Sequence, residues 1–177
     1  MRLIKLAKEE LLRSNVDRKH PFKLFSLASF GKTFPEVRTV VKRSCDENFN
    51  LLVYSDRRTP KVSQVQKNTK VTALFYHPKK KLQVRIKANC QIVDENDSLY
   101  LEHFHKVKSS ANTMDYRTNS PPGSPIEESV IYNEKLNFCL LKLIPQEIEV
   151  LQLKKEQHQR AKYTLKNEQW LEQKLVP

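Results

Sequence analysis

The chain has 177 residues, of which two are glycine, and carries 32 Lys and Arg against 20 Asp and Glu, a formal net charge of +12. Ordinary usage would give about 12 glycines, so phosphate loops built from several glycines are excluded and a phosphorylated ligand would have to be held by side chains. With 38% hydrophobic residues and no run approaching the ~18 apolar residues of a membrane span, the composition is that of one globular domain over 1–177 with no membrane partner.

A first helix is expected within 1–15, where Ile4, Ala7 and Leu11 share one face. Lys5, Lys8, Glu9 and Glu10 interrupt this segment and argue against a secretory signal. After His20-Pro21 the pattern turns β-rich, with strands expected at Phe22–Phe30, Val37–Cys45 and Phe49–Ser55. Thr59 as N-cap and Pro60 at the first helical position start a short helix ending near Asn68. Strands follow at Val71–Tyr76 and Leu82–Val93, then a helix over Asp97–Lys108. Residues 109–129, with Pro121-Pro122-Gly123, read as a variable loop. Strands resume at Phe138–Leu143 and Glu147–Leu153, separated by Pro145, and the chain closes on a hairpin within 158–177 that turns at Lys166-Asn167-Glu168. The sum is mainly antiparallel β with a few covering helices, a small barrel or sandwich rather than an alternating βαβ fold.

Cys45, Cys90 and Cys139 are dispersed and form no C-x-x-C pair. They read as reduced packing residues of a cytoplasmic protein, and no metal is implied. Neither G-x-S-x-G nor H-E-x-x-H occurs, and His103 and His105, two apart on a helix, face different ways. His20 precedes a proline and His77 opens a turn, so both suit structural roles.

The charge surplus is concentrated. Arg57 through Lys87 holds ten basic residues and no acidic one, which favours an anionic partner. Nucleic acid is disfavoured, because the basic residues are not interleaved with aromatic stacking platforms. A small anion seat fits better. Tyr54-Ser55 ends a strand, and Thr59-Pro60-Lys61 then opens a helix whose N-terminus favours negative charge. Alternation along the preceding strand puts Arg38, Val40 and Lys42 on one face and Thr39, Val41 and Arg43 on the other, while Gln83 and Arg85 share a face of a later strand.

Several segments resemble the FMN-binding split-barrel family typified by pyridoxamine 5′-phosphate oxidase. They are H-P-F-K and L-A-S (His20–Lys23, Leu27–Ser29), R-T-V-V-K-R (Arg38–Arg43), L-V-Y-S-D-x-R-T-P-K-V (Leu52–Val62), Q-V-R-I-K-A (Gln83–Ala88) and the closing H-Q-R-A-K-Y with W-L-E-Q-K-L-V-P (His158–Tyr163, Trp170–Pro177). The resemblance implies a six-stranded antiparallel split β-barrel of Greek-key order with flanking helices, binding FMN at a homodimer interface. It places Arg38, Thr39, Val40, Val41 and Arg43 along the flavin, with Arg38 towards the ring and ribityl side and Arg43 towards the phosphate. Tyr54 and Ser55 join them, Thr59 and Lys61 hold phosphate, Gln83 reaches the flavin from the partner subunit, and Arg160 contacts it late in the chain. His158 is the one substrate-contacting residue implied.

The chain also departs from the family pattern. Pro60 stands where the oxidase has an Arg, Glu156 replaces the Arg that would grip a substrate phosphate, and Val150 or Leu151 takes the place of a flavin-side Trp. The expected function is therefore an FMN-dependent oxidoreductase acting on a small molecule. The alternatives are a genuine pyridoxamine 5′-phosphate oxidase or a flavin- or haem-binding carrier without turnover.

Overall fold

A computed structural model describes residues 2–110, 113–126 and 128–177. Met1 of the expected first helix and three positions of the expected loop over 109–129 lie outside the described residues. In chain order the elements are α1 (Arg2–Val16), β1 (Leu24–Phe30), β2 (Pro35–Cys45), β3 (Leu51–Asp56), α2 (Pro60–Lys67), β4 (Lys70–His77), β5 (Leu82–Ile92), α3 (Ser98–Lys108), β6 (Phe138–Gln152), β7 (Gln159–Lys166) and β8 (Gln169–Leu175).

All pairings are antiparallel, in the order β3-β2-β1-β4-β5-β6-β7-β8, and a further β3–β6 pairing closes the first six strands into a barrel. The chain runs β1-β2-β3 as a meander and returns through α2 to place β4 beside β1, which is Greek-key order. β7 and β8 extend the sheet beyond the closure as a hairpin. In this ring β2 and β5 stand on opposite walls, three strands apart either way round.

Alternation sets the inside. Val40, Val53, Phe75, Val84, Ile86, Ile148 and Val150 fill the barrel, joined by Leu3, Ala7 and Leu11 of α1. A fully buried leucine contributes about 2 kcal/mol through the apolar area it removes from water, so the stripe of α1 anchors it firmly. A second apolar cluster lies on the outer surface, where Tyr100 and Val107 of α3 meet Leu52, Leu140, Phe138 and Tyr116.

The expected break at Pro145 does not occur, since β6 is one strand from Phe138 to Gln152. Pro145 lacks an N–H and is tolerated where the ladder slips: Lys87 faces Glu147 and Ala88 faces Pro145, leaving Gln146 as an extra residue. The same point divides β6 between partners, because 138–143 pair with β3 and 147–152 with β7.

Scarcity of glycine leaves a mark on the turns. Gly31 is required by close approach, since a Cβ there would stand 2.2 Å from the Phe34 carbonyl oxygen. Elsewhere ordinary residues take left-handed backbone: Asn167 and Glu168 have φ of 46° and 62° in the two-residue turn between β7 and β8, the conformation of a type I′ hairpin.

Candidate functional site

The end of β3, the start of α2 and the first half of β2 bring one group of predicted residues together. Ser55 and Thr59 are buried with their hydroxyls 2.9 Å apart, Thr59 Oγ1 donates to the Asp56 carbonyl at 2.8 Å, and Lys61 Nζ donates to Ser55 Oγ at 3.2 Å. Pro60 occupies the first position of α2, and the Thr59 hydroxyl makes no cap bond to the helix. Lys61 is held below the usual lysine pKa by burial and then by the positive charge of Arg38. Arg38 thus stands close enough to Lys61 for the two cations to repel.

Arg38 is braced on its other side. Its Nη1 donates to Ser29 Oγ and to the Leu27 carbonyl, and its Nη2 bonds Gln64 Oε1 at 3.1 Å and Glu36 Oε2 at 2.8 Å. Ser29 in turn donates to Gln64 at 2.6 Å. Ser29, Glu36 and Gln64 were not among the predicted site residues; each lies on a different element, and nothing local in the sequence links them.

Arg43 does not join this group. Its guanidinium lies 4.5 Å from the centre of the Tyr54 ring, where its charge also acts on Tyr116 of the outer cluster. The Tyr54 hydroxyl bonds His103 Nδ1 at 2.5 Å, and His103 is buried, with its pKa lowered chiefly by that burial. Arg38 therefore stands beside Lys61, and Arg43 stands with the aromatic cluster on the other face of β2. The alternation of β2 is the cause: Val40 packs in the core while Thr39 is exposed and Val41 half-buried on the other face.

Gln83 and Arg160 lie on the outer face of β5 and β7. Gln83 faces Leu151 and Leu151 faces Arg160, so the three form one row across three strands. Arg160 is bound to Glu149 of β6, which also receives Arg85. His158 is exposed in the β6–β7 connection, where its Nδ1 accepts the Lys154 N–H at 3.1 Å, and Glu156 is exposed beside it.

His20 and His77, assigned structural roles by sequence, meet around Glu10. His20 Nε2 is 3.1 Å and His77 Nε2 3.5 Å from Glu10 Oε2, and Lys80 bonds the other oxygen. The three ligand atoms lie within 4.8 Å of one another, but chemistry disfavours an ion. Each Nδ1 accepts a backbone N–H, from Phe22 at 3.0 Å and Lys80 at 3.3 Å. The ring proton is therefore on Nε2, directed at the carboxylate. The cluster is a buried hydrogen-bonded tie between α1 and the β4–β5 turn. Burial pushes the thiols of Cys45 and Cys90 up to about 12 and that of Cys139 to about 11, so all three remain protonated packing residues at neutral pH.

Residues 5–94, just over half of the chain, match the family described as pyridoxamine 5′-phosphate oxidase, FMN-binding domain. The chain belongs to this family. A pyridoxine/pyridoxamine 5′-phosphate oxidase of Legionella pneumophila strain Lens is 24% identical over 163 residues, covering 82% of this chain and 74% of the relative. Among solved structures, a pyridoxamine 5′-phosphate oxidase-related FMN-binding protein of Nostoc punctiforme superposes with a TM-score of 0.79 at 23% identity, covering 98% of this chain and 96% of that one. PhzG of Burkholderia lata, solved with tetrahydrophenazine-1-carboxylic acid, superposes at 0.77 and 16% identity, covering 98% and 92%. The fold is the split barrel of this family.

FMN is the cofactor of this family, and the donor set fits it. Two neighbouring cations, Arg38 and Lys61, and two hydroxyls, Ser55 and Thr59, at a helix start are suited to a dianionic phosphate and need no glycine loop. No helix among the described residues is long and apolar enough to cross a membrane.

Proposed function

We propose that the chain is a homodimeric FMN-dependent oxidoreductase acting on a small molecule, with FMN held between the two copies. One observation carries the reading: the proposed flavin residues fall into two groups on opposite walls of the barrel. The phosphate group is Arg38 on β2, Ser55 on β3, and Thr59 and Lys61 at the start of α2; the second is Gln83 on β5 and Arg160 on β7. Neighbouring strands are about 4.8 Å apart, and three such spacings around the wall, or the filled core across it, separate β2 from β5. Two copies facing each other would bring the two groups to one FMN.

In this arrangement Lys61 and Arg38 neutralise the phosphate, the Ser55 and Thr59 hydroxyls bond its oxygens, and the backbone of Thr39–Val41 lines the path from it. Burial first, and then the charge of Arg38, lower the Lys61 pKa, and a bound dianion would offset both effects. Bound FMN supplies the two-electron chemistry, and the protein binds, orients and shields it. The outer faces that meet in such a dimer include Leu24, Val37, Leu74 and Tyr76, all exposed in one copy.

Binding is tested by fluorescence titration of the purified chain with FMN, alongside Lys61→Ala. Wild type is expected to quench flavin fluorescence, and the variant to bind at least tenfold more weakly through loss of a charge-assisted contact. Equal binding by both would remove Lys61 from the site. The Legionella relative's name supplies a first substrate to try. With Glu156 in place of the phosphate-gripping Arg, little oxygen uptake is expected with pyridoxamine 5′-phosphate, and brisk uptake would establish that activity instead.

A further inference from the structure

The outer face of β5, β6 and β7 carries a charged cluster centred on Glu149. Glu149 is only 6% exposed although it stands on a strand face that also bears Gln83 and Arg85. Both its oxygens are taken: Oε2 by Arg85 Nη2 at 2.5 Å, and Oε1 by Arg160 Nε at 2.9 Å and Nη2 at 2.6 Å. Arg85 faces Glu149 directly across the ladder, and the row Gln83–Leu151–Arg160 lies one step along. The two-point contact fixes the plane of the Arg160 guanidinium as a single bond could not. The three charges sum to +1, so the face stays cationic. Arg85 Nε is buried with no hydrogen-bond partner among the described residues.

We propose that Glu149 is a positioning residue for the flavin: it fixes Arg160 beside Gln83 and sets the charge of this face, and so sets how far the site prefers reduced FMN to oxidised FMN. The inference rests on the assignment of Gln83 and Arg160 to the FMN of the facing copy. Two-electron-reduced FMN is anionic at neutral pH, whereas the oxidised ring is neutral, so local positive charge favours the reduced form selectively. A carboxylate between two guanidiniums moderates that preference while holding the donors in place.

Redox titration of the FMN-loaded protein, followed in the visible spectrum, tests this with two variants of opposite sign. Glu149→Gln takes the cluster from +1 to +2 and is expected to raise the preference for reduced over oxidised FMN severalfold. Arg85→Gln takes it to 0, keeps the Glu149–Arg160 contact, and is expected to lower the preference by a similar factor. If Glu149→Gln does not fold, the direction of the Arg85→Gln shift decides alone. A folded variant that binds FMN with the wild-type preference, whatever its melting temperature, would overturn the proposal and leave the functional reading intact. A wild-type chain that binds no FMN would overturn both.

Discussion

Lys42 is the least expected residue in the barrel. Its side chain is wholly buried, and its ammonium donates to Asn15 Oδ1 of α1 at 2.5 Å. Asn15 is itself tied to Cys45, accepting its N–H at 2.9 Å and donating to its carbonyl at 2.8 Å. Burial is the chief cause that lowers the Lys42 pKa from 10.5 to about 8; Cys45 opposes it, and the charge of Lys23 adds a smaller lowering effect. At about 1.4 kcal/mol per pH unit, that drop corresponds to about 3 kcal/mol lost at neutral pH by keeping the amine charged.

The sign follows from linkage. A base whose folded pKa is depressed binds fewer protons folded than unfolded between about 8 and 10.5, so its contribution to stability rises with pH across that window. Lys42→Met preserves the unbranched shape and removes the charge, while Asn15 Oδ1 keeps the Cys45 N–H. The variant should therefore be about 1–3 kcal/mol more stable at pH 7, raising Tm by roughly 3–10 °C. Its advantage should shrink between pH 8 and 10.5. Paired thermal melts of both proteins from pH 6.5 to 10.5 measure this. A variant less stable than wild type at pH 7, or a gap that does not change with pH, would refute the reasoning.

Three further outcomes follow from named contacts. Glu36 competes with phosphate for Arg38, which it meets at 2.8 Å, so Glu36→Gln should bind FMN severalfold more tightly by fluorescence titration; weaker binding would mean that Glu36 orients Arg38 instead. Glu168, at φ 62°, bears the cost of left-handed backbone, and Glu168→Gly should gain about 0.5–1 kcal/mol in urea unfolding after the added flexibility of the unfolded chain is counted. Burial is the largest single influence on the Glu10 carboxylate and raises its pKa, but the hydrogen bonds and charges of Lys80 and His20 together outweigh it and hold the pKa below its usual value. Its stabilising contribution is present above the unfolded carboxylate pKa of about 4.3 and is lost as pH falls through the folded value. Glu10→Gln should therefore be less stable at pH 7 and lose less stability below pH 4, as read by melts at both pH values.

How much of this was legible depended on the range of the signal. Alternation revealed the strands, and Thr59-Pro60 marked the start of α2, because these are local effects of side-chain period and backbone preference. The grouping of Ser55, Thr59 and Lys61 was readable for the same reason, since these residues follow one another through one strand end and one helix start. Pro145 misled because the bulge that accommodates it is a property of the β5–β6 pair, which β6 alone does not encode. Glu149 was missed although a faint trace existed: Glu147 and Glu149 alternate on β6 as Arg85 and Lys87 do on β5, and the register sets them opposite. The tie between Glu10, His20 and His77 joins positions up to 67 residues apart, and only the closed barrel brings them together.

The central claim is that one FMN is held by groups from two copies of the chain. The most direct test is FMN titration of the purified protein followed by visible absorbance, with the mass of the flavin-bound species determined by light scattering. Saturation is expected at one FMN per chain in a species of twice the chain mass. A chain that binds FMN tightly while remaining a monomer would contradict it, as would a dimer that leaves the flavin free.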